Sequence, residues 1–233
     1  MPRYSRKKNT RRNYRRRRRY NRRAITKRKG VGITGIPDKM QLKLKYNDLI
    51  TINTTGQGFA ATFWRGNSPY DPDLGNHGAN IQPVSFDEWS NFYNRYRVNA
   101  SRIFISAING SDTANNALNM SVIPLLGSTL SPLGYQELMA NKYAKSKIIT
   151  SNAAQQVGYI SNYMSTKKLV GDSITSDALA YSSAITTNPL DQWTWLLQFN
   201  NMNNPDTGTV STSFKISITY YIEFFDRRTL SMS

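Results

Sequence analysis

Lys215-Ile216-Ser217-Ile218-Thr219-Tyr220-Tyr221-Ile222-Glu223-Phe224 alternates side chains with a period of two. Ile216, Ile218, Tyr220, Ile222 and Phe224 fall on one side, and Lys215, Ser217, Thr219, Tyr221 and Glu223 on the other. Successive side chains of an extended chain point to opposite faces, so this stretch predicts a strand with one buried and one wet face. The same period recurs upstream. Met40, Leu42, Leu44 and Tyr46 oppose Lys39, Gln41, Lys43 and Lys45, while Trp193, Trp195, Leu197 and Phe199 oppose Thr194, Leu196, Gln198 and Asn200. Further strands are expected at 57–64, 97–109, 117–125, 145–150 and 156–167, separated by segments rich in Gly, Pro, Asn and Ser.

Helix is scarce. Ser85-Phe86-Asp87-Glu88 has the spacing of a capping box opening a short helix through Trp89, Phe92 and Tyr93, and a second short helix is expected from Tyr135 to Asn141. The connections 65–83, 126–144 and 168–189 are too long for simple hairpins and fit Greek-key crossings. The expected fold is therefore all-β: a single eight-stranded jelly-roll β-sandwich with long loops and one or two short loop helices. Residues 37–233 are enough for one such domain with a sizeable core.

What precedes that domain is of another kind. Of the formal +17 charge, sixteen positive charges lie within the first 29 residues, which contain no acid; the other 204 residues carry fifteen basic and fourteen acidic side chains. Residues 1–36 are expected to form a disordered, Arg-rich arm, because like charges repel and there is little apolar surface to bury. Its cations are Arg3, Arg6, Lys7, Lys8, Arg11, Arg12, Arg15, Arg16, Arg17, Arg18, Arg19, Arg22, Arg23, Lys27, Arg28 and Lys29. All sixteen are candidate nucleic-acid contacts, since neutralising phosphates releases condensed counterions. Arginine predominates, and guanidinium suits bidentate phosphate contact. Tyr4, Tyr14 and Tyr20, interleaved with the charge, would stack on unpaired bases. Nothing in the arm has the form of a sequence-reading element. Arg11, Arg12, Arg15 to Arg19, Arg22 and Arg23 also fit a nuclear localisation signal. The arm lacks the apolar helical face of a transit peptide, and membrane insertion is not expected because no long apolar stretch exists.

Chemistry is thin in the rest of the chain. The absence of Cys excludes thiolate chemistry, disulfides and Cys-containing zinc sites. His77 is the single histidine and is expected to be a solvated loop residue without a catalytic or metal role. Asp71 and Asp73 bracket Pro72 as ordinary turn chemistry rather than a cation site. Asp87 and Glu88 are expected to answer the dipole of their short helix. The aromatic rows Trp193/Trp195 and Tyr220/Phe224 read as core, and Lys43 and Lys45 as a solvated face that would alternatively extend the basic surface of the arm. No phosphate-cradling glycine loop or nucleophile elbow is present, no metal or cofactor is implied, and an enzyme is not expected.

A distributed set of segments adds to this. It comprises the Arg-rich start through Arg23; Pro37-Asp38-Lys39-Met40; Trp89-Ser90-Asn91-Phe92-Tyr93-Asn94-Arg95-Tyr96-Arg97-Val98; Tyr143-Ala144-Lys145-Ser146-Lys147; Asn162-Tyr163-Met164-Ser165-Thr166-Lys167-Lys168; and Thr219-Tyr220-Tyr221-Ile222-Glu223-Phe224-Phe225-Asp226. In this order the chain resembles the capsid proteins of circoviruses and related small circular single-stranded DNA viruses. The resemblance implies a jelly roll whose sixty copies build a small icosahedral shell. The arm would then meet a single-stranded DNA genome inside the virion, and would engage host nuclear import machinery so that assembly takes place in the host nucleus. No segment matches a host cell-surface receptor site. Two other readings stand beside it: a non-assembling, basic-tailed nucleic-acid-binding protein, and a glycan-binding sandwich with a targeting arm.

Overall fold

The computed structural model describes residues 35–75, 77, 81–110, 116–127, 132–151, 157–171 and 179–229. The whole of the predicted arm up to residue 34 lies outside them. Among the described residues there are nine strands: β1 (Met40–Thr54), β2 (Phe59–Arg65), β3 (Tyr93–Asn109), β4 (Ala117–Leu126), β5 (Lys145–Thr150), β6 (Val157–Ser165), β7 (Ser182–Ala184), β8 (Trp193–Asn201) and β9 (Val210–Arg227). They form two antiparallel sheets. One runs β1-β9-β3-β6, with β7 added beside β3; the other runs β2-β8-β4-β5. The chain changes sheet at most of its connections, and its last strand lies inside one sheet between the first strand, at the edge, and β3. That is jelly-roll topology, as the period-two pattern predicted.

The stretch 215–224 is the centre of the molecule. β9 pairs β1 over fifteen positions, from Met40↔Phe224 to Thr54↔Val210, and flanks β3 on its other edge. Its apolar row, Phe214, Ile216, Ile218, Tyr220, Ile222 and Phe224, is fully buried, and Phe214 packs on Trp64 and Phe199 of the opposite sheet. Two of the core aromatics set a polar atom against a partner across the sandwich. Trp195 Nε1 donates to Ser101 Oγ at 2.9 Å, and Tyr220 OH donates to the Arg65 carbonyl at 2.7 Å. Aromatic bulk with a satisfied polar tip therefore locks one sheet over the other.

Three short helices lie in the connections: α1 (Phe86–Ser90), α2 (Tyr135–Ala140) and α3 (Thr166–Val170). α1 plugs one end of the sandwich, where Phe86 and Trp89 pack on Phe224, Tyr93 and Tyr96. The expected capping box does not form. Ser85 has a left-handed backbone (φ 69°) and makes no side-chain cap, because capping geometry requires an extended residue there. α3 was not expected, since the period-two run had been extended through Lys167. Ser165 Oγ accepts the Lys168 amide at 3.2 Å, starting a helix that Gly171 ends with φ 84°. The three-residue β7 interrupts 168–189, where the sequence predicts a single connection.

The largest departure concerns β8. Its row Thr194, Leu196, Gln198, Asn200 had been placed opposite the core, yet all nine residues of the strand are buried. The cause is the connection between β4 and β5. It folds back with α2 over the outer face of the sheet, placing Leu138 against Phe63, Ile123 and Leu196 with Leu133 beside them. Gln198 clamps it by accepting the Leu133 amide at 3.1 Å and donating to the Leu133 carbonyl at 2.9 Å. This sheet is covered on both faces. The other is not, among the described residues.

Candidate nucleic-acid interface

All sixteen arm cations predicted to meet nucleic acid, Arg3 through Lys29, lie outside the described residues, as does the nuclear-localisation run within them. The candidate surface among the described residues is the outer face of the β1-β9-β3-β6 sheet, and register assembles it. Lys45 of β1 lies opposite Thr219 of β9, which lies opposite Arg102 of β3, which lies opposite Tyr163 of β6. One step of the pleat towards Met40, Lys43 is beside Tyr221. Two steps the other way, Leu49, Lys215, Ser106 and Tyr159 align, with Phe104 and Ser161 between.

Charge and ring are interleaved on this face. Lys43 Nζ sits 5.3 Å from the centre of the Tyr221 ring, and the Arg102 guanidinium 5.9 Å from that of Tyr163. Tyr163 and Tyr221 meet edge to face at 5.8 Å, while Phe104 and Tyr159 stack at 6.2 Å with 25° between their planes. Phe104, Tyr159 and Tyr163 are 39%, 57% and 47% exposed. Cations over aromatic faces are mildly favourable when exposed, which holds both groups upright on the sheet. Asn99, left out of register at a bulge in β3, borders a shallow hollow of about 480 Å³ with Gln41, Lys43 and Tyr221.

At the end nearest the start of β1, three more cations surround one ring: Lys39, Arg95 and Arg97 lie 6.0, 5.9 and 5.8 Å from the centre of Phe225. Here the charge is answered. Glu223 receives Lys39 at 3.5 Å, Arg97 at 3.4 Å and the Gln41 amide at 3.3 Å. Burial pushes its carboxyl pKa up, but the Gln41 hydrogen bond and the two cations outweigh burial and leave it below the usual carboxylate value. Glu223 is the acid on the outward row that runs through Lys43, Tyr221 and Arg102; Asp226, near the end of β9, is exposed with a left-handed backbone (φ 58°).

The other sequence candidates are structural. His77 is an exposed loop residue, as expected, whose ring nevertheless stacks 5.9 Å from Trp64 and whose Nδ1 lies 3.1 Å from Asp73 Oδ1. Asp73 accepts from the Gly75 and His77 amides at 3.0 and 2.6 Å, which is turn chemistry as expected. Burial raises its pKa, and the bonds from His77 and Gly75 bring the balance below the usual value. Asp71 pairs with Arg65, whose Nε also donates to Gln192 Oε1 at 2.8 Å. Asp87 and Glu88 lie in the first turn of α1. Trp193, Trp195, Tyr220 and Phe224 are core. Among the described residues no group of three His, Cys, Asp or Glu is placed to hold a metal, and no helix is long and apolar enough to cross a membrane.

Sequence reasoning noticed Lys43 and Lys45 but missed Arg102, Lys215 and their aromatic neighbours as one surface. They come two to a strand from β3, β6 and β9, and only strand order brings them together.

No family model matches the chain, and no curated protein matches it. Solved structures do. "Crystal structure of 60-mer BFDV Capsid Protein" is 11% identical with a TM-score of 0.42, covering 85% of this chain and all of that one. A structure of Desmodium yellow mottle tymovirus is 11% identical with a TM-score of 0.40, over 83% of this chain and 93% of that one. The cryo-EM structure of Mud crab tombus-like virus is 11% identical with a TM-score of 0.42, over 82% and 84%. These values are low, and the functional reading below rests on this chain's own residues.

Proposed function

We propose that this chain is the subunit of a small viral shell, which self-assembles and packages circular single-stranded DNA through its Arg-rich arm. The observation that carries the reading is the partition of charge: sixteen positive charges in 29 residues, joined to a nearly neutral body of 204. A neutral body lets copies approach without long-range repulsion, while the arm supplies the countercharge for a polyanion. Sixty arms would bring about 960 positive charges, enough for on the order of a thousand phosphates. Twenty-nine extended residues reach up to about 95 Å, well into a small lumen. The long connections leave apolar side chains for contacts between copies: Leu190, Val84 and Leu126 are 85%, 79% and 61% exposed. In this reading the arm also serves as a nuclear localisation signal recognised by host import machinery. The protein would be found in the virion and, during assembly, in the host nucleus.

Analytical ultracentrifugation of the full chain in moderate salt tests this. A closed shell of sixty 26.5 kDa subunits sediments as about 1.6 MDa of protein. A monodisperse 26.5 kDa species in the presence of single-stranded DNA, at salt low enough for binding, would instead identify a non-assembling nucleic-acid-binding protein.

A further inference from the structure

We propose that the outer face of the β1-β9-β3-β6 sheet is a second nucleic-acid site. Unpaired bases of a single strand would stack on Phe104, Tyr159, Tyr163 and Tyr221, with Lys43, Lys45, Arg102 and Lys215 on the phosphates. The inference builds on the single-stranded-DNA reading of the arm and adds a division of labour: the arm holds backbone, the sheet holds bases.

Three observations select this occupant. First, the charge is unanswered. Glu223, the acid on this outward row, is engaged by Lys39, Arg97 and Gln41 at the far end, and no ion pair is found for Lys43, Lys45, Arg102 or Lys215 among the described residues. Second, exposed rings are interleaved with cations across the face, while its exposed aliphatic side chains, Leu49, Ile108 and Val157, gather at the end far from Met40. The cores of protein–protein interfaces are depleted in lysine, because burying an unpaired ammonium is costly. Alternating cation and ring is instead the composition of single-strand platforms, where the cations track phosphates and every base has a face to stack. Third, the spacing is open. Tyr159 and Tyr163 are four residues apart on β6, roughly 13 Å at strand rise, so the pairs Phe104/Tyr159 and Tyr163/Tyr221 form two separate stacking points. Paired bases would present no free face to either, so the site discriminates for single strands.

The test uses the full chain carrying Tyr4→Ala, Tyr14→Ala and Tyr20→Ala, which removes stacking by the arm but none of its charge. Binding of oligo-dT is compared with an abasic deoxyribose-phosphate strand of equal length. The expected result is tighter binding of oligo-dT. Tyr159→Ala and Tyr163→Ala each weaken it about five- to 150-fold, the range of one lost base–aromatic stack, and leave the abasic strand unchanged. Tyr163→Phe keeps the ring and retains affinity, which separates stacking from loss of fold. Ultraviolet cross-linking with 5-iodo-deoxyuridine strands should recover peptides of β3, β6 and β9. Equal affinity for both strands, or cross-links confined to residues 1–36, overturns the sheet site while leaving the arm's role standing. Failure of both strands to bind overturns both. Variants that change sedimentation and not base preference would show that a second copy of the chain covers the face, again overturning the proposal.

Discussion

The salt dependence of single-strand binding separates the contributions of arm and sheet. Each phosphate contact on single-stranded DNA contributes about −0.7 to the slope of log K against log salt. The sixteen arm cations alone predict a slope of about −11, and the four unpaired cations of the sheet face bring it to about −14. Such slopes are steep enough to set the assay: at −11, doubling the salt weakens binding about 2,000-fold, so anisotropy titrations need closely spaced salt concentrations. Measurements belong where sedimentation shows unassembled subunits. Replacing Lys43, Lys45, Arg102 and Lys215 together by Ala should return the slope to about −11. Replacing Arg15 through Arg19 by Ala should lower its magnitude by about 3.5, independently of the first set. A full-chain slope near −3 would refute the packaging role, since most of the arm would then be idle. A slope of −11 that is unmoved by the fourfold substitution would refute the part assigned to the sheet cations.

Two further predictions concern the scaffold. Gly158 on β6 faces inward, and a Cβ there would lie 2.1 Å from Ile149 Cγ2 of β5, so Gly158→Ala must push the two sheet edges apart. Overpacking of this kind costs about 1–3 kcal/mol, and calorimetry should show a Tm lowered by several degrees; an unchanged Tm would mean that β5 yields freely. Acid should destabilise the fold through Asp73 and Glu223, whose folded pKa values lie below their unfolded values. The stabilisation from such groups is fully present above an unfolded pKa near 4 and is lost as pH falls through the folded one, so the urea midpoint should hold from pH 7 to about 5 and drop below about 4. Glu223→Gln should blunt that drop, and a midpoint independent of pH down to 3 would contradict the assignment.

Much of the fold was legible because it depends on period two, which a one-sided strand writes directly into sequence. β9 and β1 each have one core face and one open face, so their rows were read correctly. β8 deceived for the same physical reason. Leu196 opposite Trp195 looked like a stray apolar residue on a wet face, when it is the anchor for Leu138 and the β4–β5 connection. A loop that covers a sheet leaves few periodic marks of its own. Ser85 and Ser165 make a similar pair: the spacing promised a cap at Ser85, and the cap is found at Ser165. Capping is decided by backbone dihedrals, which residue type alone does not determine. The arm's proposed chemistry rests on composition alone, which a run of like charges writes directly into sequence. The sheet face could not, because its cations and rings come from β1, β3, β6 and β9 and become neighbours only through register.

The two sheets are finished differently, and that difference fits the proposed division of labour. The β2-β8-β4-β5 sheet has its outer face closed by its own β4–β5 connection, with Gln198 spent on the Leu133 backbone and no free row of side chains left on β8. Among the described residues the β1-β9-β3-β6 sheet carries no such cover and keeps its polar row of lysine, arginine and tyrosine in solvent. Adding more cations to that open face would strengthen phosphate binding but would make neighbouring bodies repel before any strand was present. Rings add affinity for bases without adding charge. A body that must both pack against its copies and hold a single strand is therefore better served by four cations among four rings than by a second basic run, with the bulk of the charge kept on the arm.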